Sequence, residues 1–200
     1  MAYVADVASA AQAFDSTSFT LPLPTHQAGD VLLAFVSKDD AAGGALTGMS
    51  GWTEIAQANV GTSGTNTVRG AAYCKIATSA NEAAPTVDST DADTWCGAVV
   101  AVRGAFNTDN PIGTYWTNTD TSGAPYTATA SNLDEAAPAD LCFVMGAVDG
   151  GVSLTAYPGR YQNLVNLDSA ANGLGVAVCA FTDYSGPPDL DWYGSGTADE

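Results

Sequence analysis

The residues best suited to chemistry in this sequence are acidic. Asp88, Asp91 and Asp93 place three carboxylates within six residues, and oxygen-rich loops of this kind can bind Ca²⁺. The segment lacks the spacing and the central glycine of an EF-hand loop, and a solvated acidic turn is the alternative interpretation. The sequence predicts at most a weak calcium site at these three residues and no other cofactor. The same two interpretations apply to Lys38-Asp39-Asp40 and to Asp189-Leu190-Asp191.

A catalytic site finds little support among the remaining residues. His26 is the only histidine, and it lies in a turn-like segment where we expect an exposed side chain. The sequence contains neither a Gly-x-Ser-x-Gly nucleophile motif nor cysteine and histidine ligands at zinc spacing. The paired carboxylates of a glycosidase can be found in any fold that carries 22 acids. We therefore predict no catalytic residues and a protein that is not an enzyme.

Two adjacent aromatic pairs, Tyr115-Trp116 and Trp192-Tyr193, are candidates for binding surfaces. Successive side chains of a strand point to opposite faces, so one ring of each pair should be exposed. Such a ring could form a sugar-binding platform, or it could pack against a neighbouring subunit, because aromatic side chains are common anchors at protein interfaces. Trp52 and Trp95 are predicted to be core residues.

The composition is that of a folded protein with a strongly acidic surface. Hydrophobic residues make up 46% of the 200 residues and charged residues 14%, whereas disordered chains are poor in apolar residues and rich in charge. Five basic residues against 22 acids give a net charge of −17, which leaves no basic surface for nucleic acid or an anionic membrane. No apolar run approaches the ~20 residues of a membrane-spanning helix. Neither nucleic acid nor membrane is expected as a partner.

The amino-terminal residues and the cysteines both favour folding in the cytoplasm. Residues 1–6 lack the positive charge of a secretory signal and carry an acid where its apolar region would begin, so we interpret Met1 as the start of the protein. No Cys-x-x-Cys pair is present, and we expect reduced thiols in the core. The cysteines lie in or beside apolar, strand-like runs, and they are Cys74, Cys96, Cys142 and Cys179.

The elements that would position these residues are β-strands. Runs rich in Val, Ala, Thr and aromatic residues alternate with clusters of Gly, Pro, Asn, Asp and Ser, a spacing typical of a sandwich. No segment has a convincing helical period. The predicted strands are residues 3–10, 18–23, 30–38, 53–60, 68–77, 95–103, 112–118, 125–130, 141–148, 161–167, 174–182 and 190–193.

The two halves of the chain resemble one another, because four short motifs recur in the same order. They are Asp30 to Val36 with Asp140 to Gly146, Gly51 to Ile55 with Gly159 to Leu164, Gly70 to Cys74 with Gly175 to Cys179, and Asp93 to Trp95 with Asp191-Trp192. Two related groups of strands are what two interlocked Greek keys would give. We therefore predict an all-β jelly-roll sandwich of two antiparallel sheets over residues 17–200, with residues 1–16 as an N-terminal arm or edge strand. Two small sandwiches are the alternative, although no polar linker separates the halves.

A longer series of motifs carries a resemblance to a known family over about residues 20–185. The motifs are Gly29-Asp30 before an apolar strand, Ser50-Gly51-Trp52-Thr53, Ala72 to Ala77, Trp95 to Ala105 and Asn110-Pro111-Ile112. In this order they resemble a jelly-roll family of tailed-virus virion proteins, found in capsid decoration and tail-fibre-like chains. The resemblance implies a homotrimeric β-sandwich with a structural or binding role and no catalytic residues. The polar run from Tyr193 to Glu200 departs from the family, where another buried strand would be expected.

These observations predict a structural virion protein. We expect a decoration, or cement, protein that folds in the host cytoplasm and then binds the major capsid protein on the outer surface of a tailed-virus capsid. The alternative is a tail-fibre or receptor-binding module for a host glycan, in which Trp116 and Trp192 would be the first residues to examine. The absence of coiled-coil heptads for a fibre shaft favours the capsid over the tail.

Overall fold

The computed structural model of the chain describes residues 2–39, 45–60, 67–104, 109–113, 115, 117, 126–128, 141–149, 153–156, 162–169, 172–180 and 190–195. All regular structure within these residues is β-strand, as the sequence predicts. In the same residues no helix is long and apolar enough to span a membrane. The strands are β1 (Tyr3–Thr20), β2 (Val31–Asp39), β3 (Thr53–Val60), β4 (Val68–Ile76), β5 (Thr86–Arg103), β6 (Tyr126–Ala128), β7 (Leu141–Asp149), β8 (Ser153–Ala156), β9 (Gln162–Asp168), β10 (Asn172–Ala180) and β11 (Leu190–Ser195).

The described strands pair into three antiparallel sheets. Sheet 1 has the strand order β1-β5-β2-β4-β3, and sheet 2 has the order β7-β10-β9. Sheet 3 is a smaller group, β6-β11-β8. Sheet 1 therefore draws all its strands from residues 3–103, and sheet 2 draws its strands from residues 141–180.

Sheet 2 stacks on one face of sheet 1. Alternate residues of β2, including Leu33 and Phe35, form a buried cluster with Val100 of β5 and with Leu174 and Val176 of β10. Because strand side chains alternate between faces, a shared cluster of this kind joins the inner faces of two sheets. The described strands thus form a β-sandwich, with β10 over the centre of sheet 1.

The opposite face of sheet 1 is also buried. Leu32 and Val36 of β2 lie in a second cluster with Trp95. Phe19 near the end of β1 and Leu21 just after β1 belong to the same cluster. The Phe19 ring stacks on the Trp95 ring with centroids 6.0 Å apart. Burial on both faces explains why β2 is apolar at almost every position and does not alternate.

The internal repeat predicted from the sequence appears in the sheet topology. The strands that carry the first three motifs are β2, β3 and β4 in the first half and β7, β9 and β10 in the second. They pair in the order β2-β4-β3 in sheet 1 and in the equivalent order β7-β10-β9 in sheet 2. The fourth motif differs, because β5 pairs with β2 whereas β11 pairs with β6 and β8.

A β-bulge at the matched position supports the same repeat. The pairing of β3 with β4 skips Ile55, and the pairing of β9 with β10 skips Leu164. Ile55 and Leu164 are the last residues of the two copies of the second motif, and both pack on the cluster between the sheets. A bulge bends the strand and re-aims a side chain, so each half uses the same irregularity to direct an aliphatic residue towards the core.

Several predicted strand boundaries are corrected by the structure. Residues 3–10 and 18–23 were predicted as two strands, but β1 runs from Tyr3 to Thr20 with bulges. The strand predicted at 95–103 begins earlier, at Thr86. The strand predicted at 112–118 is wrong where the structure describes it, because residues 112, 113, 115 and 117 lie outside strands. Pro111 and Gly113 both disfavour a strand there.

Gly97 permits close packing between β5 and the end of β1. A Cβ at residue 97 would collide with the side chains of Leu21 and Phe19. We expect Gly97→Ala to lower the free energy of unfolding by about 1–3 kcal/mol, the usual cost of overpacking a core. The matched control is Gly113→Ala, where nothing lies within 4 Å of an added Cβ. Urea denaturation measures both variants, and equal midpoints would contradict this packing.

Candidate functional site

The three acids of the predicted calcium site lie on a strand and not in a turn. Asp88, Asp91 and Asp93 belong to β5, and their burial alternates with that of their neighbours. Asp88 is exposed, and its backbone exchanges two hydrogen bonds of 2.8 Å with Thr47. Strand alternation separates Asp88 from the other two carboxylates. Among the described residues, no group of three or more His, Cys, Asp or Glu side chains is arranged to hold a metal ion.

A fully buried lysine lies beside one of these acids. Lys38 on β2 is 0% exposed, and its Nζ lies 3.5 Å from Asp93 Oδ2. The same Nζ donates a hydrogen bond of 2.9 Å to the Asp39 backbone carbonyl and lies 5.8 Å from the centre of the Trp95 ring. Lysine is almost never fully buried unless it is paired. The sequence predicts a solvated acidic turn or a weak calcium site at Lys38-Asp39-Asp40, and for Lys38 the prediction of a solvated side chain is wrong.

The Asp39 carboxyl completes this charged centre. Burial, together with the negative charges of Asp93 and Asp149 and a hydrogen bond with the Asp93 side chain, raises the pKa of Asp39 to about 7, while Lys38 opposes the rise. Asp39 and Asp149 are the last residues of β2 and β7, which are equivalent strands of the repeat. Both halves of the chain therefore contribute an equivalent carboxyl group to one site.

A neutral polar network joins the two sheets next to this centre. Asn172 at the start of β10 is 0% exposed, and its Nδ2 donates to Ser37 Oγ at 2.9 Å. Its Oδ1 accepts hydrogen bonds from Thr94 Oγ1 at 3.2 Å and from Ser169 Oγ. Buried polar groups that are fully satisfied in this way fix one arrangement of the surrounding strands.

Cys96 lies at the edge of the network and is not an activated nucleophile. Its Sγ donates to the Asn172 carbonyl oxygen at 3.6 Å. Burial raises the pKa of the Cys96 thiol to about 11, and a catalytic thiol needs the opposite shift. Cys74 and Cys96 are buried as the sequence predicts, whereas Cys142 is only half-buried. The side chain of Cys179 lies outside the described residues.

The predicted exposure of His26 is wrong. The side chain is 8% exposed, and its Nδ1 donates to the Pro24 carbonyl oxygen at 2.7 Å. Its Nε2 faces the backbone N–H of Glu82 at 3.5 Å. Residues 78–82, which are distant in sequence, therefore cover the turn, and local sequence alone could not show this.

Exposed aromatic side chains mark a different surface. Tyr3 is 51% exposed and Phe14 is 69% exposed, and both lie on β1, whose outer edge pairs with no other described strand. Tyr115 is 61% exposed, whereas Trp116 lies outside the described residues. Trp192 and Tyr193 lie on β11, where the backbone is described and the side chains are not.

Sequence patterns predict neither the buried centre at Lys38 nor the exposed aromatic residues Tyr3 and Phe14 of β1. Comparisons with protein-family models, curated proteins and solved structures found no match. Function must therefore be inferred from the geometry of these residues and from the sequence patterns.

Proposed function

We propose that this chain is a structural virion protein, a capsid decoration or cement protein that binds the outer surface of a tailed-virus capsid and stabilises it. The observation that best supports the proposal is the outer edge of β1, which carries exposed Tyr3 and Phe14. A strand edge offers backbone N–H and C=O groups to a second chain. Exposed aromatic side chains beside it supply the apolar anchors that such contacts need.

The charge pattern of β1 suits docking to another protein. Residues 7–14 contain no charged side chain, although the whole chain carries a net charge of −17. Asp6 and Asp15 flank this neutral stretch. An added strand could therefore pair with residues 7–14 without facing a carboxylate, while the acids elsewhere disfavour unspecific association.

In this proposal the partner is the major capsid protein, and the chain acts as a homotrimer. Three β1 edges held in one trimer would engage the capsid lattice together, so that weak single contacts add up to stable attachment. The chain would fold in the host cytoplasm before it joins the particle. The jelly-roll topology is part of the same proposal. Its support is that sheets 1 and 2 form two stacked antiparallel layers. The described strands of residues 3–103 all lie in sheet 1 and do not alternate between the two layers.

A receptor-binding module of the tail that recognises a host glycan is the second candidate. The observation in its favour is Tyr115, whose ring is 61% exposed in a segment outside the described strands. An exposed aromatic ring suits stacking on a sugar. For this candidate function, Trp116, Trp192 and Tyr193 would be substituted together with Tyr115 in a glycan-binding assay.

Binding to capsids that lack the protein tests the proposal. The purified chain is mixed with capsids of the encoding virus and sedimented. We expect Phe14→Asp to weaken binding about tenfold or more, because it places a charge in an apolar contact. Tyr115→Asp is the matched control and should bind like the wild type. Equal binding by Phe14→Asp, or loss of binding only in Tyr115→Asp, would contradict docking through β1.

A further inference from the structure

The proposed docking surface makes no use of the buried centre formed by Lys38, Asp39 and Asp93. We propose that Lys38 Nζ and Asp93 Cγ join in an intramolecular amide bond, with Asp39 as the group that carries the protons. The bond would link β2 and β5, which are neighbours in sheet 1. This proposal does not depend on the function proposed above.

The geometry places the reacting groups together. Lys38 Nζ lies 3.5 Å from Asp93 Oδ2, an oxygen that is one bond away from the carbon to be attacked. The amine nitrogen and the carboxyl group are therefore held in contact, and such fixed proximity lowers the barrier to bond formation. Strand pairing maintains this proximity, because Lys38 is the register partner of Trp95 and Asp93 lies two residues away on the same strand.

Burial favours the neutral amide over the ion pair. The Lys38 side chain is 0% exposed and the Asp93 side chain 14% exposed, and the fully buried Trp95 ring lies beside Nζ. Charges removed from water in this way carry a large desolvation cost that their mutual attraction only partly offsets. Conversion of the pair to an amide removes both charges and releases water from the site.

Asp39 has the properties required of the proton carrier. Its side chain is hydrogen-bonded to that of Asp93, and its pKa of about 7 means that both protonation states are populated near neutral pH. A group that must first accept and later return a proton works best when its pKa is close to the working pH. The carboxyl of Asp149 on β7 contributes to this shift through its negative charge.

The reaction balances without any co-reactant. The Asp39 carboxylate accepts one proton from the Lys38 ammonium group and leaves a neutral amine. The nitrogen lone pair attacks Asp93 Cγ, and the C–N bond forms. The two protons that the nitrogen loses leave with one Asp93 oxygen as water, the first of them returned by Asp39. One ammonium and one carboxylate thus become one amide and one water, with no oxidation or reduction.

A second lysine pair in the same chain provides a matched comparison. Lys75 Nζ lies 2.6 Å from Glu82 Oε2, closer than the Lys38 contact, but the side chains are 23% and 10% exposed. Hydrogen bonds from Lys75 and Thr78 lower the pKa of Glu82 to about 2, so this carboxylate stays ionised. Among the described residues no acid contributes to the pKa of Glu82, and without an acid to carry protons this pair should remain an ion pair.

Intact mass spectrometry of the denatured full-length chain tests the proposal. We expect a mass about 18 Da below the sequence value, which corresponds to the loss of one water. Fragmentation of a chymotryptic digest should show a branched peptide that joins Lys38 to Asp93. Lys38→Arg should restore the full mass, whereas Lys75→Arg should retain the deficit. Purified Asp39→Asn should consist mostly of chain at its full sequence mass, because loss of the proton carrier slows bond formation by about 10²-fold or more.

The full sequence mass in the wild-type protein would overturn the proposal, and this result does not depend on whether any variant folds. A deficit of one water that persists in Lys38→Arg would also overturn it, because cyclisation at Asp149-Gly150 releases the same mass. A mass deficit of one water in a wild-type protein that yields no branched peptide would likewise overturn the proposal. Detection of the branched peptide in the wild type and its loss in Lys38→Arg would establish the bond.

Discussion

Asn172→Ala is expected to lower the free energy of unfolding by about 3 kcal/mol, because it removes a buried side-chain amide that both donates to and accepts from the surrounding hydroxyl groups. The Asn172 side chain donates to Ser37 of β2 and accepts from Thr94 of β5 and from Ser169. Alanine has neither the amide donor nor the amide acceptor, and the site is too buried for bulk water to replace these hydrogen bonds. The loss should appear as a lower urea midpoint with an unchanged slope.

Asn81→Ala is the matched control for Asn172→Ala. Asn81 lies in an exposed turn after β4, and exposed substitutions usually change stability by less than about 0.5 kcal/mol. If the two alanine variants unfold at the same urea concentration, the hydrogen bonds of Asn172 between the sheets do not stabilise the fold.

Asp30→Asn is expected to cost about 2 kcal/mol, because it disrupts charge-assisted hydrogen bonds. Asp30 is 1% exposed, and its two oxygens accept from Arg103 Nε at 2.9 Å and Arg103 Nη2 at 2.7 Å. Oδ2 also accepts from the Gln27 backbone N–H at 2.9 Å. The pair ties the start of β2 to the end of β5. Arg103 is 32% exposed, so the cost should be smaller than for a fully buried ion pair.

The same residue predicts a pH dependence. The hydrogen bonds from Arg103 hold the pKa of Asp30 below its ordinary value of 3.8. A carboxyl group with a lowered pKa in the folded state stabilises the fold fully above the unfolded pKa, and this contribution is lost as the pH falls through the folded pKa. The wild-type advantage over Asp30→Asn should therefore shrink below pH 3.8.

Asp15→Asn is the control for the Asp30 prediction. It also removes a carboxylate, but Asp15 is exposed, and exposed substitutions usually change stability by less than about 0.5 kcal/mol. Chemical denaturation at pH 7 and pH 3 measures all three proteins. A difference between the wild type and Asp30→Asn that is the same at both pH values would contradict the assigned role of Asp30.

The central strands could be predicted from sequence because burial makes their composition distinctive. Residues 31–36 of β2 are a continuous apolar run that follows Asp30, and β3 matches its predicted range of residues 53–60. The strands predicted at residues 141–148, 161–167 and 174–182 correspond to β7, β9 and β10. The apolar runs and the recurring motifs are local features, because each can be recognised within one or two strands of the sequence.

The missed features depend on contacts between distant segments. The first residues of β5 are polar and acidic, and they become a strand because they pair with residues 16–20 of β1. Lys38 is buried because Trp95 and Asp93 of β5 lie beside it, and His26 is buried because residues 78–82 fold over it. None of these partners is adjacent in sequence, so the sequence alone indicated exposed residues at all these positions.

Quantitative mass spectrometry of purified virus particles, combined with immunogold labelling, tests the proposed function most directly. A decoration protein should be present in many copies, and the gold label should cover the capsid shell. A few copies confined to the tail tip would contradict the capsid assignment and favour the glycan-binding alternative. Absence of the chain from purified particles would contradict a virion role altogether.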